Sequence, residues 1–168
     1  MASTERPLSG GERKIIASVF GDALDPAPVR IFRRKWWPFQ PRNVLMAPCG
    51  HLHVPAKSAL WSDDYSAEDV KLQGLFVHEM THIWQAQTKG RFYLPLMRHP
   101  FCRYAYKLTP GRAFGWYGIE QQAEIVRHAF IQRIGWTDFG APPLEALEKL
   151  LPFAAQAASL GPDKGDKA

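Results

Sequence analysis

Residues 77–85 read VHEMTHIWQ, and the two histidines in this stretch decide how the whole chain is interpreted. His78 and His82 are four positions apart, so on a helix they lie about 40° apart around the axis and both imidazoles can reach one metal ion. Glu79 is rotated about 100° from His78, which puts its carboxylate beside such an ion, where it can take a proton from water. The stretch therefore predicts two metal ligands and one general base.

The flanking sequence places this stretch well inside a long amphipathic helix. Ser66 can cap the first turn, where Glu68 and Asp69 favour the helix dipole, and Gly90 is a typical stop. Apolar residues recur between them at three- and four-residue spacing: Val70, Leu72, Leu75, Phe76, Met80, Ile83 and Trp84. A histidine pair is costly to bury there without partners, so we favour a metal site over its alternative, two hydrogen-bonded core histidines.

A second strong helix, predicted for residues 119–135, offers a third ligand. Glu120 and Glu124 are also four apart, and the chain between His82 and Glu120 is long enough for a loop and an antiparallel return. One carboxylate could bind the metal while the other accepts the N–H of a ligand histidine and fixes its tautomer. The alternative is two solvated glutamates, with Arg127 as the partner of Glu124.

The remaining segments predict an α+β fold that begins with a small sheet. Residues 9–25 favour a short helix that ends at Gly21, and residues 28–34 alternate like a half-exposed strand. Residues 43–48 and 51–55 favour two more strands, joined by a tight turn at Cys49 and Gly50. We expect these strands to form a small, mostly antiparallel sheet ahead of the long helix.

The C-terminal half is expected to contain fewer regular elements. Residues 91–117 hold prolines and many aromatics and favour an ordered loop with short turns. A third helix is predicted over residues 142–160, kinked or split at Pro152. We expect one domain over residues 1–160 and a disordered tail over residues 161–168.

Composition limits the class of protein. The chain has 168 residues, 46% of them apolar and 22% charged, which is ordinary for a globular protein, and no apolar run approaches the roughly 20 residues of a membrane span. The N-terminal residues lack the features of a signal peptide, so a cytoplasmic location is expected, with export by a route without a cleaved signal left open. Two cysteines fit a reducing compartment.

Two further segments are candidate sites. Residues 30–42 interleave basic residues with Trp36, Trp37 and Phe39, which favours either a contact surface for phosphates or an acidic partner, or a solvated loop anchored by its aromatics. Neither nucleic-acid binding nor membrane association is expected. Residues 49–53, CGHLH, could supply a second metal site, although a strand with polar side chains explains them better.

The stretch HEMTHIWQ, followed by a helix with the pattern E-x-x-A-E, resembles the gluzincin branch of zinc metallopeptidases. More narrowly, it is similar to small bacterial metallopeptidases associated with contractile injection systems, some of them related to the spike protein of type VI secretion. The resemblance implies a zincin-like fold with His78, His82 and Glu120 as zinc ligands, Glu79 as the base and Glu124 as the carboxylate that orients a ligand histidine. The metzincin pattern is absent, since Gln85 replaces its glycine and Thr88 its third histidine.

The function that the resemblance implies is zinc-dependent hydrolysis of a protein or peptide. Candidate substrate-binding residues are Trp84, Tyr104, Tyr106 and Tyr117. The three tyrosines, with His99 and His128, are also the candidates for stabilising the oxyanion. Two alternatives stay open: an accessory module, with or without metal, that docks on an injection spike complex without turnover, and a toxin delivered by such a system.

Overall fold

Two long helices, α2 (Val70–Lys89) and α4 (Ile119–Arg133), pack against each other at the centre of the molecule. The computed structural model describes residues 4–97 and 102–153. Within these residues the other elements are β1 (Glu5–Pro7), α1 (Gly10–Phe20), β2 (Arg30–Phe32), β3 (Leu52–His53), α3 (Tyr93–Met97) and α5 (Leu144–Leu150). The architecture is a mixed α+β fold, as the sequence predicts.

The N-cap of helix α2 lies three residues later than predicted. The side chain of Asp69 accepts a hydrogen bond from the backbone N–H of Leu72 at 2.9 Å and so caps the helix. The prediction that Ser66 is the cap is wrong, because Ser66 lies in a separate 3₁₀ turn and its hydroxyl donates to Asp64. The predicted stop at Gly90 is confirmed: its φ of 103° favours glycine, and its N–H donates to the carbonyl of Ala86.

Helices α2 and α4 approach closely because α2 carries a glycine at the contact. A Cβ atom built on Gly74 would lie 2.9 Å from Cγ2 of Ile131, closer than side chains pack. The buried faces of both helices join one apolar core with residues from α1, the sheet and α5: Ile16, Phe20, Ile31, Leu52, Phe76, Met80, Ile83, Ile125, Val126, Phe130 and Leu147. Packing in this core determines which side of α2 faces α4 and which side of α4 faces α2.

The sheet has three strands in the order β1-β2-β3, and it is not antiparallel throughout. Strand β1 pairs with β2 antiparallel, with Arg6 opposite Ile31, but β2 pairs with β3 in parallel, with Ile31 opposite Leu52. The expected strand over residues 43–48 is reduced to one bridge between Met46 and His53. The antiparallel prediction is therefore only partly right, because β2 and β3 run parallel. The antiparallel partner of β2 is β1, which shows no apolar alternation and was not predicted as a strand.

A buried carboxylate fastens the N-terminal segment to the turn that precedes α2. Glu12 and Ser9 form a capping box that begins α1, which ends at Phe20 before Gly21 as predicted. The Glu12 carboxylate, fully buried, also accepts hydrogen bonds from the Arg6 guanidinium at 2.7 and 2.9 Å and from the Tyr65 backbone N–H at 3.0 Å. Strand β1, α1 and the start of α2 are thereby held in one arrangement.

The C-terminal half is more regular than expected at two places. The predicted loop over residues 91–117 contains α3 and a 3₁₀ turn, Phe114–Trp116. Helix α5 ends at Leu150, before Pro152; residues 154–160 of the predicted third helix and the predicted tail at 161–168 lie outside the described residues. None of the helices in the described part of the chain has the length and apolar character needed to cross a membrane.

Two neighbouring glycines in α1, Gly10 and Gly11, allow a test of how closely this helix packs on the turn before α2. A Cβ on Gly11 would overlap the hydroxyl of Ser66 and lie 2.7 Å from its Cβ, whereas a Cβ on Gly10 would meet nothing within 4 Å. We expect Gly11→Ala to lower the free energy of unfolding by about 1–3 kcal/mol through overpacking. Gly10→Ala, the control, should leave it unchanged or raise it by up to about 1 kcal/mol. Urea unfolding measures both free energies, and equal effects of the two substitutions would contradict close packing of α1 on this turn.

Candidate metal centre

Three donor atoms from α2 and α4 converge in the interior. Nε2 of His78 lies 3.2 Å from Nε2 of His82 and 3.2 Å from Oε2 of Glu120, and the His82–Glu120 distance is 3.0 Å. All three side chains are buried, with 1–5% of each residue exposed. Among the described residues, these three form the cluster of His, Cys, Asp or Glu side chains that could hold a metal ion. The structure thus brings together the three side chains that the sequence proposes as ligands.

Glu124 orients His78 from the side away from the cluster. Oε1 of Glu124 lies 2.8 Å from Nδ1 of His78, so Nδ1–H donates to the carboxylate and Nε2 faces the other two donors. Burial by itself would raise the pKa of Glu124, but the hydrogen bond with His78, with Arg127 and His128 nearby, lowers it. The carboxylate is therefore ionised and acts as an acceptor, in the position expected of the residue that fixes a ligand tautomer.

The cluster favours a positive charge. Burial disfavours the imidazolium form of His78, but its hydrogen bonds with Glu120 and Glu124 outweigh burial and raise its pKa to about 9. With both imidazoles neutral and protonated on Nδ1, three lone pairs would meet within 3.2 Å, which is repulsive unless a proton or a metal ion lies among them. This donor set fits a divalent cation.

Gln85 orients His82 and was not predicted as a site residue. Its Oε1 lies 2.9 Å from Nδ1 of His82, and its Nε2 donates to the carbonyl of Ile119 at 3.1 Å and to Oε1 of Gln122 at 2.9 Å. The i, i+3 spacing from His82 would have placed the two side chains side by side on α2. The long-range bonds to α4 could not be read from that spacing.

Glu79 is buried next to the cluster, and one of its oxygens is unused. The residue is 5% exposed, and its Oε2 has no hydrogen-bond partner within residues 4–97 and 102–153. Leaving a carboxylate oxygen buried without a partner is costly, so a fold that only needed structural stability would not favour it. Its place one residue after His78 leaves it beside the cluster and outside the donor set.

The three candidate tyrosines have different surroundings. The ring of Tyr104 is about half exposed and stacks on His78, with centroids 6.0 Å apart and planes 21° apart. The Tyr106 hydroxyl lies 2.7 Å from Nδ1 of His128, and burial raises its pKa. The Tyr117 hydroxyl accepts a hydrogen bond from the N–H of Thr109, and its ring is buried. Tyr104 is thus the tyrosine in contact with a candidate ligand, while Tyr106 and Tyr117 make packing and hydrogen-bond contacts elsewhere.

Trp84 packs into the core instead of the cluster. It follows His82 by two residues, about 200° around the helix axis, and its ring contacts Phe114 and Phe153, with centroids 6.0 and 5.4 Å away. The predicted role of Trp84 in substrate binding has no support from this position. His99, another candidate, lies outside the described residues.

Residues 49–53 lie in surroundings that disfavour a second cation. His53 is buried and stacks on Phe32, and burial, with Arg34 nearby, lowers its pKa to about 4. Nδ1 of His51 accepts a hydrogen bond from the N–H of Arg30, and burial together with Arg30 and Arg91 lowers its pKa. Cationic neighbours that repel a proton also repel a metal ion, so the strand interpretation of these residues is the better one.

Comparison with known proteins finds similarity to one part of a bacterial secretion spike protein. No family model matches the chain. Over 139 residues, 79% of this chain, the sequence is 38% identical to the type VI secretion system spike protein VgrG2b of Pseudomonas aeruginosa, and the match spans only 13% of that protein. The solved structure of the effector domain of Pseudomonas aeruginosa VgrG2b superposes with a TM-score of 0.70 and 34% identity, covering 86% of this chain and 80% of that domain.

We expect the purified protein to hold about one divalent metal ion per chain, and His82→Ala and Glu120→Ala each to lose it, because each removes one of three donors. His51→Ala is the matched control and should keep the metal, since His51 lies among cationic side chains. Elemental analysis after purification in reducing buffer with metal offered measures the ratio. A wild type that stays metal-free, or a loss confined to His51→Ala, would contradict the assignment.

Proposed function

The chain belongs to the family of the VgrG2b effector domain, and we propose that it is a zinc-dependent metallopeptidase with a zincin-like fold. The observation that carries this proposal is the pairing of a metal-ready donor set with a buried carboxylate, Glu79, whose Oε2 has no hydrogen-bond partner among the described residues. A structural metal site needs the first of these features and has no need of the second. The two together are what hydrolysis with a metal and a general base requires.

Zinc is the ion that the donor set fits best. Two imidazole nitrogens and one carboxylate oxygen are a common catalytic zinc set, which leaves a fourth position for water. With bonds of about 2.0–2.1 Å, the ligand atoms of a tetrahedral zinc site lie roughly 3.3 Å apart. The three donor atoms here are separated by 3.0–3.2 Å, so they need to move only slightly outward to hold the ion.

The side chains divide the chemistry among them. Zinc, when bound, supplies a Lewis acid that lowers the pKa of a water molecule and polarises the scissile carbonyl. Glu79 accepts the proton of the attacking water at its free carboxylate oxygen. As the C–N bond breaks, Glu79 delivers that proton to the leaving amine nitrogen. Glu124 accepts the Nδ1–H of His78 and so keeps its ring oriented with Nε2 toward the other two donors.

Substrate would reach the cluster beside Tyr104 and Glu120. The exposed ring of Tyr104 lies against His78, where it can contact a bound peptide. A cavity of about 230 Å³ adjoins Glu120 and is lined in part by Met97, Arg103 and Ile119. These features support a protein or peptide substrate with a side chain seated next to the ligand set.

We expect Glu79→Gln to keep the metal and to lower peptide hydrolysis by about 10²–10⁴-fold, because the amide retains the shape of the side chain but cannot take a proton. The assay is cleavage of a fluorescently labelled unfolded protein by zinc-loaded protein, with metal content measured on the same samples. Glu145→Gln makes the same chemical change at an exposed position of α5 and should keep full activity.

Two outcomes would overturn the peptidase proposal. Hydrolysis undiminished in Glu79→Gln would remove the proposed base from the mechanism. Absence of hydrolysis by the zinc-loaded wild type over a broad set of peptides would leave the metal site without turnover and favour the second candidate below.

The second candidate function is a non-catalytic accessory module that docks on a type VI spike complex, as the name of the relative suggests. One observation favours it. In segment 30–42, Trp36, Trp37 and Phe39 are 41%, 43% and 77% exposed. Buried Gln40 fixes this loop by accepting from the N–H of Trp36 and donating to the carbonyl of Val44. A rigid aromatic loop without acidic residues fits an acidic protein surface. Delivery on a spike would also be an export route without a signal peptide.

We expect the chain to bind a purified spike protein, and combined Trp36→Ala, Trp37→Ala and Phe39→Ala substitutions to weaken binding at least about tenfold, as loss of aromatic anchors does. Phe139→Ala, at a fully exposed position outside the segment, is the control and should bind normally. Calorimetry at low and high salt measures the affinity. Equal binding by the two variants would contradict docking through this segment.

A further inference from the structure

A chain of buried amides links the ligand His82 to the start of α4. Gln85 and Gln122 are 2% and 8% exposed. Gln122 Nε2 donates to the carbonyl of Tyr117 at 2.7 Å, and Gln85 Nε2 donates to Oε1 of Gln122 at 2.9 Å and to the carbonyl of Ile119 at 3.1 Å. This chain of amides ends at His82, where Gln85 Oε1 lies 2.9 Å from Nδ1.

Backbone carbonyls only accept hydrogen bonds, and this fixes the direction of every hydrogen bond in this chain of amides. The Tyr117 carbonyl requires the NH₂ group of Gln122, which turns Gln122 Oε1 toward Gln85. Gln85 must then present its own NH₂ group to Gln122 and to the Ile119 carbonyl, which leaves its Oε1 facing His82. Since that oxygen is an acceptor, His82 carries its proton on Nδ1 and keeps the lone pair on Nε2.

The tautomer of His82 decides whether the cluster can bind an ion. A proton on Nε2 would point an N–H group at the other two donor atoms and remove one ligand. The two histidines are held by different chemistry, because His78 donates to the carboxylate of Glu124 and His82 donates to a neutral amide. The amide fixes the tautomer without adding another negative charge to a buried group that already contains Glu79 and Glu120.

We propose that Gln85 is a positioning residue for metal binding: by accepting the Nδ1 proton, it holds His82 in the tautomer and orientation that present Nε2 to the ion. The side chain of Gln85 is held by the Ile119 carbonyl, one residue before the ligand Glu120, so the same contacts set the position of His82 relative to Glu120. The inference rests on the metal site of the proposed function, and it does not depend on whether peptides are hydrolysed.

Two near-isosteric variants separate this role from general packing. Gln85→Met removes the acceptor for His82. Gln122→Met also breaks the amide chain, but it leaves Gln85 fixed by the Ile119 carbonyl with its Oε1 still facing His82. We expect both to lower thermal stability, while zinc affinity, measured by competition with a chromophoric chelator, falls about 10- to 100-fold in Gln85→Met and changes less than about threefold in Gln122→Met.

Long-range ¹H–¹⁵N NMR of the metal-free protein reads the tautomer directly. The proton of His82 should be on Nδ1 in the wild type and in Gln122→Met, and should lose this preference in Gln85→Met. Gln85→Glu keeps an acceptor and should restore the Nδ1–H form, whatever its effect on stability. These readouts need no enzymatic activity, so they are independent of the Glu79 experiment.

The outcomes are distinct. Equal zinc affinity in wild type and Gln85→Met, or equal weakening in both methionine variants, would overturn the positioning role while leaving the metal site in place. A wild type that binds no zinc would overturn the metal site and this role together. A wild type that binds zinc but hydrolyses no peptide would overturn the peptidase proposal alone.

Discussion

The close approach of three buried electron-pair donors is the constraint on which the rest of this fold depends. The Nε2 atoms of His78 and His82 and Oε2 of Glu120 lie 3.0–3.2 Å apart, and the three residues are only 1–5% exposed. With neither a proton nor a metal ion among them they would repel one another, and a flexible scaffold would let them separate. Two rigid helices, in close contact where Gly74 meets Ile131, keep them together instead. The favourable packing of the core thus offsets the free energy that burying the donor cluster costs.

The polar contacts behind the cluster complete this arrangement. Each histidine uses its Nδ1 for a hydrogen bond with a partner that is itself fixed, Glu124 for His78 and Gln85 for His82. Both partners tie α2 to α4: Glu124 is carried by α4, and Gln85 on α2 bonds back to Ile119 and Gln122. The hydrogen bonds that orient the ligands therefore also set the distance between the helices, and orientation and packing cannot vary independently.

The N-terminal half supports the cluster indirectly, by fixing where α2 begins. Glu12 joins β1, α1 and the turn at Tyr65, so that α2 starts from a fixed point. The sheet lies on the same core and carries the exposed basic and aromatic loop between β2 and β3. The molecule therefore presents two separate features, a buried cluster suited to chemistry and an exposed loop suited to contact. The relationship to the VgrG2b effector domain is compatible with the use of both.

Local spacing determined much of this protein from the sequence alone. The periodicity of α2 and α4, the stop at Gly90 and the i, i+4 pairs at His78/His82 and Glu120/Glu124 depend on interactions within a few residues, which spacing reveals. Spacing did not show which glutamate faces the donors and which accepts from His78, since both lie on one face of α4; the tertiary structure has them in the roles that the family resemblance implied. Only the tertiary structure decided the parallel pairing of β2 with β3 and the bonds of Gln85 to α4. These contacts join residues far apart in sequence, and their partners are selected by the packing of the whole core, which no local pattern records.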